Sequence, residues 1–178
     1  SHLTLLRELG AKVLVFAEVS GCIHGEQQTP VHLRPRFPQE RWQEYGEKLT
    51  EFARYTQQQG VQIAYHHHMA AAVEAEAELD LLMKHSSVPL LYDAGHMAFA
   101  GGDVMRVIEN HHARITHVHT KDIRRTVVEG LGRTRESLLD AVIKGVFTVP
   151  GDGSLDFQAI VGALAAKACA GWALQFYG

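Results

Sequence analysis

Apolar and polar positions along the chain switch repeatedly between a strand period and a helix period. Lys12-Val13-Leu14-Val15-Phe16 is a β-branched apolar run of the kind a buried strand needs. Before it, Leu3 to Leu9 reads as the end of a helix closed by Gly10. About twenty irregular residues follow, Ser20 to Pro38, a length typical of functional loops. Gln39 to Gln59 is predicted helical, with Trp42, Tyr45, Leu49, Phe52 and Ala53 at spacings of three and four. Val61 to Tyr65 is the next strand, and His66, His67 and His68 stand at its C-terminal end.

The alternation continues. Val73 to His85 is predicted helical, with Val73, Ala77 and Leu81 on one stripe. Pro89 to Tyr92 is a strand running into Asp93-Ala94-Gly95-His96, and Asp103 to His111 is a short helix. Arg114 to His119 is a strand running into Thr120-Lys121-Asp122. Arg135 to Lys144 is helical, and Phe147 to Gly153 is a Gly/Pro loop. Asp156 caps a helix through Ala168 that turns Phe157, Ile160, Val161 and Leu164 inward. Gly171-Trp172-Ala173-Leu174 begins one more strand.

Strand–helix alternation implies a parallel sheet. Strand ends recur at His66, Asp93 and His119, close to the roughly 30-residue period of a βα unit. Five strands are visible. They belong either to an open doubly wound sheet or to part of a (β/α)8 barrel, since a whole barrel takes about 250 residues.

In both architectures ligands bind at the C-terminal ends of the strands. The polar residues gathered there are His66, His67, His68, Asp93, His96, His117, His119, Lys121 and Asp122. Histidine is the outlier of the composition, twelve in 178 residues. Imidazoles and a carboxylate converging from neighbouring strands suit a divalent metal. Alternation along a strand turns His67 away from His66 and His68, toward packing or support. His111 and His112 sit at a helix end, where cations favour the dipole. His117 shares a face with His119 but lies deeper. His2, His24, His32 and His85 read as loop or surface residues. Glu18 and Glu26, after the first strand, are within reach of the same face.

Charge and composition remove other classes. The net charge of −3 comes without a basic run, which disfavours nucleic acid. No apolar run approaches the ~20 residues of a membrane span. Cys22 and Cys169 make no disulfide framework, which favours a reducing, cytoplasmic setting. Neither GxGxxG nor GxxxxGK[ST] occurs, so nucleotide binding has little support.

One ordered set of motifs is specific: Ala64-Tyr65-His66-His67-His68-Met69, Asp93-Ala94-Gly95-His96, His117-Val118-His119-Thr120-Lys121-Asp122 and Phe147-Thr148-Val149-Pro150-Gly151-Asp152-Gly153. Together with Glu18-Val19-Ser20-Gly21 and the Arg34-Pro35 loop, it closely resembles the inosose dehydratases, within the xylose-isomerase-like TIM-barrel superfamily. The resemblance runs from about Leu3 to Leu174 and implies an α/β fold. Residues 1–178 would form a single incomplete (β/α)8 barrel domain of about five parallel strands, family strands three to seven, with flanking helices.

The resemblance also implies a chemistry. His66, Asp93 and His119 would bind a divalent metal, Mn2+ or Co2+ in the family, with His96 facing the substrate. The family's strand seven supplies a Glu where this chain has Phe176, which cannot coordinate a hard ion. The implied reaction is dehydration of 2-keto-myo-inositol (scyllo-inosose) to a trihydroxycyclohexane-dione through an enolate. His68 or His96 would act as base or acid, and Lys121 would stabilise the enolate oxygen. A sugar isomerase or epimerase on the same scaffold is the first alternative. A truncated, non-catalytic metal-binding remnant is another, favoured by Phe176. An apurinic endonuclease of the same superfamily is disfavoured by the charge. The expected partner is a small keto-polyol, with neither nucleic acid nor membrane. Open strand edges would favour self-association into a homo-oligomer.

Overall fold

The structure, a computed structural model, describes residues 2–167 and 173–176. Seven strands and eight α-helices are assigned among them. The strands are β1 (Val13–Phe16), β2 (Gln62–His66), β3 (Leu90–Asp93), β4 (Ile115–Thr120), β5 (Asp122–Ile123), β6 (Phe147–Thr148) and β7 (Ala173–Phe176). The helices are α1 (His2–Glu8), α2 (Trp42–Gln58), α3 (Glu76–His85), α4 (Ala94–Phe99), α5 (Val104–His111), α6 (Arg125–Gly130), α7 (Leu138–Ile143) and α8 (Phe157–Ala166). Five strands form one parallel sheet in the order β1-β2-β3-β4-β7. The fold is therefore α/β with a parallel sheet and flanking helices, as the strand–helix alternation predicts.

One face of the sheet carries the main core. Ile63 and Tyr65 of β2, Leu90 and Tyr92 of β3, and Ile115 and Val118 of β4 point into it. They meet Trp42 and Leu49 of α2, Leu79, Leu82 and Met83 of α3, Val107 and Ile108 of α5, and Ile160 and Leu164 of α8. A fully buried Leu or Ile contributes roughly 1.5–3 kcal/mol. The helix-covered face thus supplies most of the sheet's stability and leaves the opposite face for polar groups. A second cluster caps the C-terminal ends of the strands: Ile23, Val31, Met69, Ala70, Phe99, Leu131, Leu138, Ala141 and Val146, with Phe147 against it.

Ile115 and Val118 are three apart, yet both face the main core. Regular alternation forbids this. The β3–β4 register accounts for it: Leu90 pairs with Ile115 and Leu91 with His117, so Thr116 is an extra residue in the ladder. That bulge flips the parity of β4. His117 and His119 then share the face of Leu91 and Asp93, with Asp93 directly opposite His119.

Several expectations need correction. The helix expected from Val73 begins only at Glu76. The Glu78 carboxylate accepts from the N–H groups of Glu74 and Ala75 at 2.9 and 2.8 Å, which fixes the start there. Its buried face is Leu79, Leu82 and Met83, while Ala77 is exposed. Val161 of α8 is exposed rather than inward. The helix expected from Arg135 begins at Leu138, where Ser137 and Asp140 form a reciprocal cap. Phe147-Thr148 is an antiparallel strand paired with Asp122-Ile123, not loop. Asp93-Ala94-Gly95-His96 is the start of a helix, and Arg125–Gly130 is a further helix. The expected Ala168 end of α8 and the Gly171-Trp172 start of the last strand lie outside the described residues.

Candidate metal and proton-transfer site

Asp93 is the centre of the site. It ends β3, is fully buried, and its Oδ1 accepts from His96 N at 2.9 Å as the N-cap of α4. Its other oxygen, Oδ2, lies 3.3 Å from His119 Nδ1, 3.3 Å from Lys121 Nζ, 3.6 Å from His96 Nε2 and 3.9 Å from His66 Nε2. Capping brings His96 back over the strand end. Gly95 makes the close approach possible, because a Cβ there would stand 2.7 Å from the Lys121 carbonyl oxygen.

Six residues singled out in the sequence converge here: His66, His68, Asp93, His96, His119 and Lys121. The rings of His66 and His96 stack at 4.8 Å, and His68 meets His96 edge-on at 4.6 Å. Two triads could hold a metal ion, His66–Asp93–His119 and His66–His68–His96, each with its ligand atoms within 4.8 Å of one another. His66 Nδ1 is buried with no hydrogen-bond partner among the described residues, as expected of a ring built to face something else.

The electrostatics follow from burial. Burial pushes the Asp93 carboxyl up, but His96, His119, Lys121 and His66 together outweigh it and hold the group well below the usual carboxylate range. Burial holds His66 and His96 well below the ordinary imidazole value, against the pull of Asp93. Burial lowers His68 as well, opposed by its 2.8 Å contact with the Met69 carbonyl. That contact assigns the proton to Nδ1 and leaves the Nε2 lone pair open.

The supporting residues are less visible in the sequence. His67 is fully buried, its Nε2 3.4 Å from the Asp93 amide, and burial lowers it to about 4. Phe147 of β6 packs 5.4 Å from Lys121 Nζ and 5.9 Å from the His96 ring. Arg34 is buried and pins the loop after β2, donating to Ala71 O at 3.1 Å and to Glu78 at 2.8 Å, with Glu74 at 3.5 Å. Arg133 reaches Glu74 at 3.0 Å. In that loop Ala70 has φ 58, a left-handed conformation unusual for alanine.

Other candidates lie elsewhere. The Asp122 carboxylate accepts from the N–H groups of Ile123, Gly151, Gly153, Ser154 and Leu155 and is a loop clamp. Glu18 caps the Ser20 amide, and Glu26 bonds Thr29. His111 pairs with Asp80, and His112 lies 3.2 Å from the Glu109 carbonyl. His117 is in neither triad, its ring 5.6 Å from that of His119.

Comparisons with known proteins bear on the family and the fold. A family model described as xylose isomerase-like TIM barrel matches residues 1–175. The rhizopine catabolism protein MocC of Rhizobium meliloti is 45% identical over 96% of this chain and 53% of its own length. An inosose dehydratase of Geobacillus thermodenitrificans is 40% identical over 97% of this chain and 59% of its own. The chain thus spans little more than half the length of these relatives. Among solved structures, an IolI protein with a bound zinc atom superimposes with a TM-score of 0.66 at 17% identity, covering 97% of this chain and 56% of that one. That likeness is one of fold. Among the described residues no helix is long and apolar enough to cross a membrane.

Proposed function

The chain belongs to the xylose isomerase-like TIM barrel family, and on that footing we propose that it carries the ion-binding and proton-transfer wall of a hydro-lyase acting on a cyclic keto-polyol. The substrate is 2-keto-myo-inositol (scyllo-inosose), and the product is a trihydroxycyclohexane-dione. The observation that carries the reading is a buried mixed triad, His66, Asp93 and His119, lying against a Lys121–His96 pair. The relatives named inosose dehydratase support the substrate class. On the same reading the 178 residues are part of one barrel domain, and the protein works in the cytoplasm on a small molecule.

The donor set fits a divalent ion. Two imidazoles and one carboxylate match Mn2+ or Co2+, the ions we propose, and Asp93 Oδ2 lies 3.3 Å from His119 Nδ1 and 3.9 Å from His66 Nε2. When bound, the ion acts as a Lewis acid on the substrate ketone, acidifying the adjacent C–H.

The chain's own residues do the rest. His68, with its Nδ1 proton held by the Met69 carbonyl, offers Nε2 as the base that removes that proton. The Lys121 ammonium stabilises the enolate oxygen that results. The His96–Lys121 pair is the acid side, supplying a proton to the departing hydroxyl so that water leaves. Phe147 and the apolar cap at the strand ends limit the water around Lys121 and strengthen these interactions.

The test is to supply scyllo-inosose with Mn2+ or Co2+ and identify the product by NMR, with metal content measured separately. Ion-dependent loss of water is expected, and Asp93→Ala should lose both the ion and the turnover. An Asp93→Ala protein that keeps ion and activity overturns the ligand set. An isomer or epimer as product overturns the reaction.

A further inference from the structure

We propose that His66, His68 and His96 form a second, nitrogen-only ion site for borderline transition ions such as Cu2+, Ni2+ or Zn2+, which the Lys121 ammonium guards. Three observations carry it. The ligand atoms of the three rings lie within 4.8 Å of one another without Asp93 or His119. His66 Nδ1 is buried without a hydrogen-bond partner among the described residues. His68 keeps its Nδ1 against the Met69 carbonyl, which leaves Nε2 to coordinate.

The guard is equally specific. Lys121 Nζ stands 2.7 Å from His96 Nε2. An ammonium has donors only, so it occupies the lone pair that an ion would need. A metal ion entering this triad must displace it. The donor chemistry sorts ions accordingly: all-imidazole sets suit copper, nickel and zinc, whereas the carboxylate of the other triad suits harder ions. Because both triads use His66, a nitrogen-bound ion also withdraws a ligand from the mixed triad. Such ions would therefore inhibit the proposed reaction at two points, the ion site and Lys121. The inference needs the residues but not that reaction, because its readout contains no substrate.

The experiment adds one equivalent of Cu2+ to the metal-free 178-residue chain and reads nitrogen couplings by electron paramagnetic resonance, with affinity by titration calorimetry. Three coordinated nitrogens are expected. His68→Ala should lose one of them, and Asp93→Asn should retain all three. Lys121→Met, which removes a positive charge from the entering ion, should bind Cu2+ about tenfold tighter or more. Circular dichroism melting of each variant separates a lost site from a lost fold. A copper signal that includes oxygen and vanishes in Asp93→Asn overturns the proposal, as does a signal unchanged in His68→Ala. Unchanged affinity in a folded Lys121→Met overturns the guarding role. If copper binds as expected but scyllo-inosose is not dehydrated with Mn2+ or Co2+, the reaction fails and this site stands.

Discussion

Lys121 and His96 meet at 2.7 Å between Nζ and Nε2, and this contact fixes the state of both. The ammonium donates, so His96 Nε2 accepts and its proton sits on Nδ1, toward the His67 carbonyl at 3.4 Å. Burial keeps the ring neutral. The pair is thus a proton donor held beside a proton acceptor at the edge of the ion triad, with Asp93 Oδ2 touching both.

Lys121→Met should therefore lower the rate of the proposed dehydration by roughly 10²–10⁴-fold without loss of Mn2+ or Co2+. Lys121→Arg should not restore the rate, because a guanidinium stays charged and cannot give up the proton that the departing hydroxyl needs. Steady-state kinetics beside elemental analysis of the metal decides it. A methionine variant at full rate removes Lys121 from the mechanism.

Asp122→Ala should destabilise the fold by about 3 kcal/mol or more, since it strips a charged acceptor from five backbone N–H groups. Gly153→Ala should act in the same direction, because its Cβ would stand 2.3 Å from Asp122 Oδ1 and 2.5 Å from the Ile123 carbonyl oxygen. Urea unfolding measures both. A loss below about 1 kcal/mol in each would mean that the loop rearranges freely.

Glu74 gives a pH prediction. Burial raises its carboxyl above the ordinary 4.5, despite the Ala70 amide, Arg34 and Arg133. A raised acid holds its proton more tightly folded than unfolded. Its contribution to stability is therefore largest below 4.5 and declines as pH rises through the folded value. Glu74→Gln lacks that decline, so the stability of wild type relative to the variant should fall as pH rises above 4.5. Paired urea titrations across this range test the sign, and a rising difference would contradict it.

Ala70→Gly should stabilise the chain by about 0.5–1 kcal/mol. Alanine at φ 58 carries roughly 1–2 kcal/mol of left-handed strain, and glycine's extra backbone entropy offsets only part of that. Thermal unfolding provides the measurement. A lower melting temperature would show that the Ala70 side chain, fully buried in the cap over the strand ends, contributes more than its backbone costs.

The convergence of His66, Asp93 and His119 was legible in the sequence because these residues obey two local rules. His66, Asp93 and His119 each stand at the C-terminal end of an apolar run, and those runs recur at the βα period. His96 and Lys121 were legible as polar residues near strand ends but their contact was not, since bringing His96 to Lys121 requires the short α4 helix that the Asp93 carboxylate itself caps. The roles of Asp122, Glu74 and Glu78 were not legible. Their partners lie up to 59 residues away, or back along an irregular loop, where no period reports contact. The same reason hid β6, whose pairing with Asp122-Ile123 is a tertiary event.

The extra residue at Thr116 has a consequence for how this wall can change. It makes β4 two half-strands with independent phase, one keyed to the core through Ile115 and one that presents His117 and His119 beside Leu91 and Asp93. Repacking around Ile115 therefore need not rotate the histidines away. A residue gained or lost between His117 and His119, by contrast, would turn the imidazole opposite Asp93 toward the hydrocarbon side. The chemistry of the chain is insulated from drift in its core and exposed to a single-codon slip in two positions.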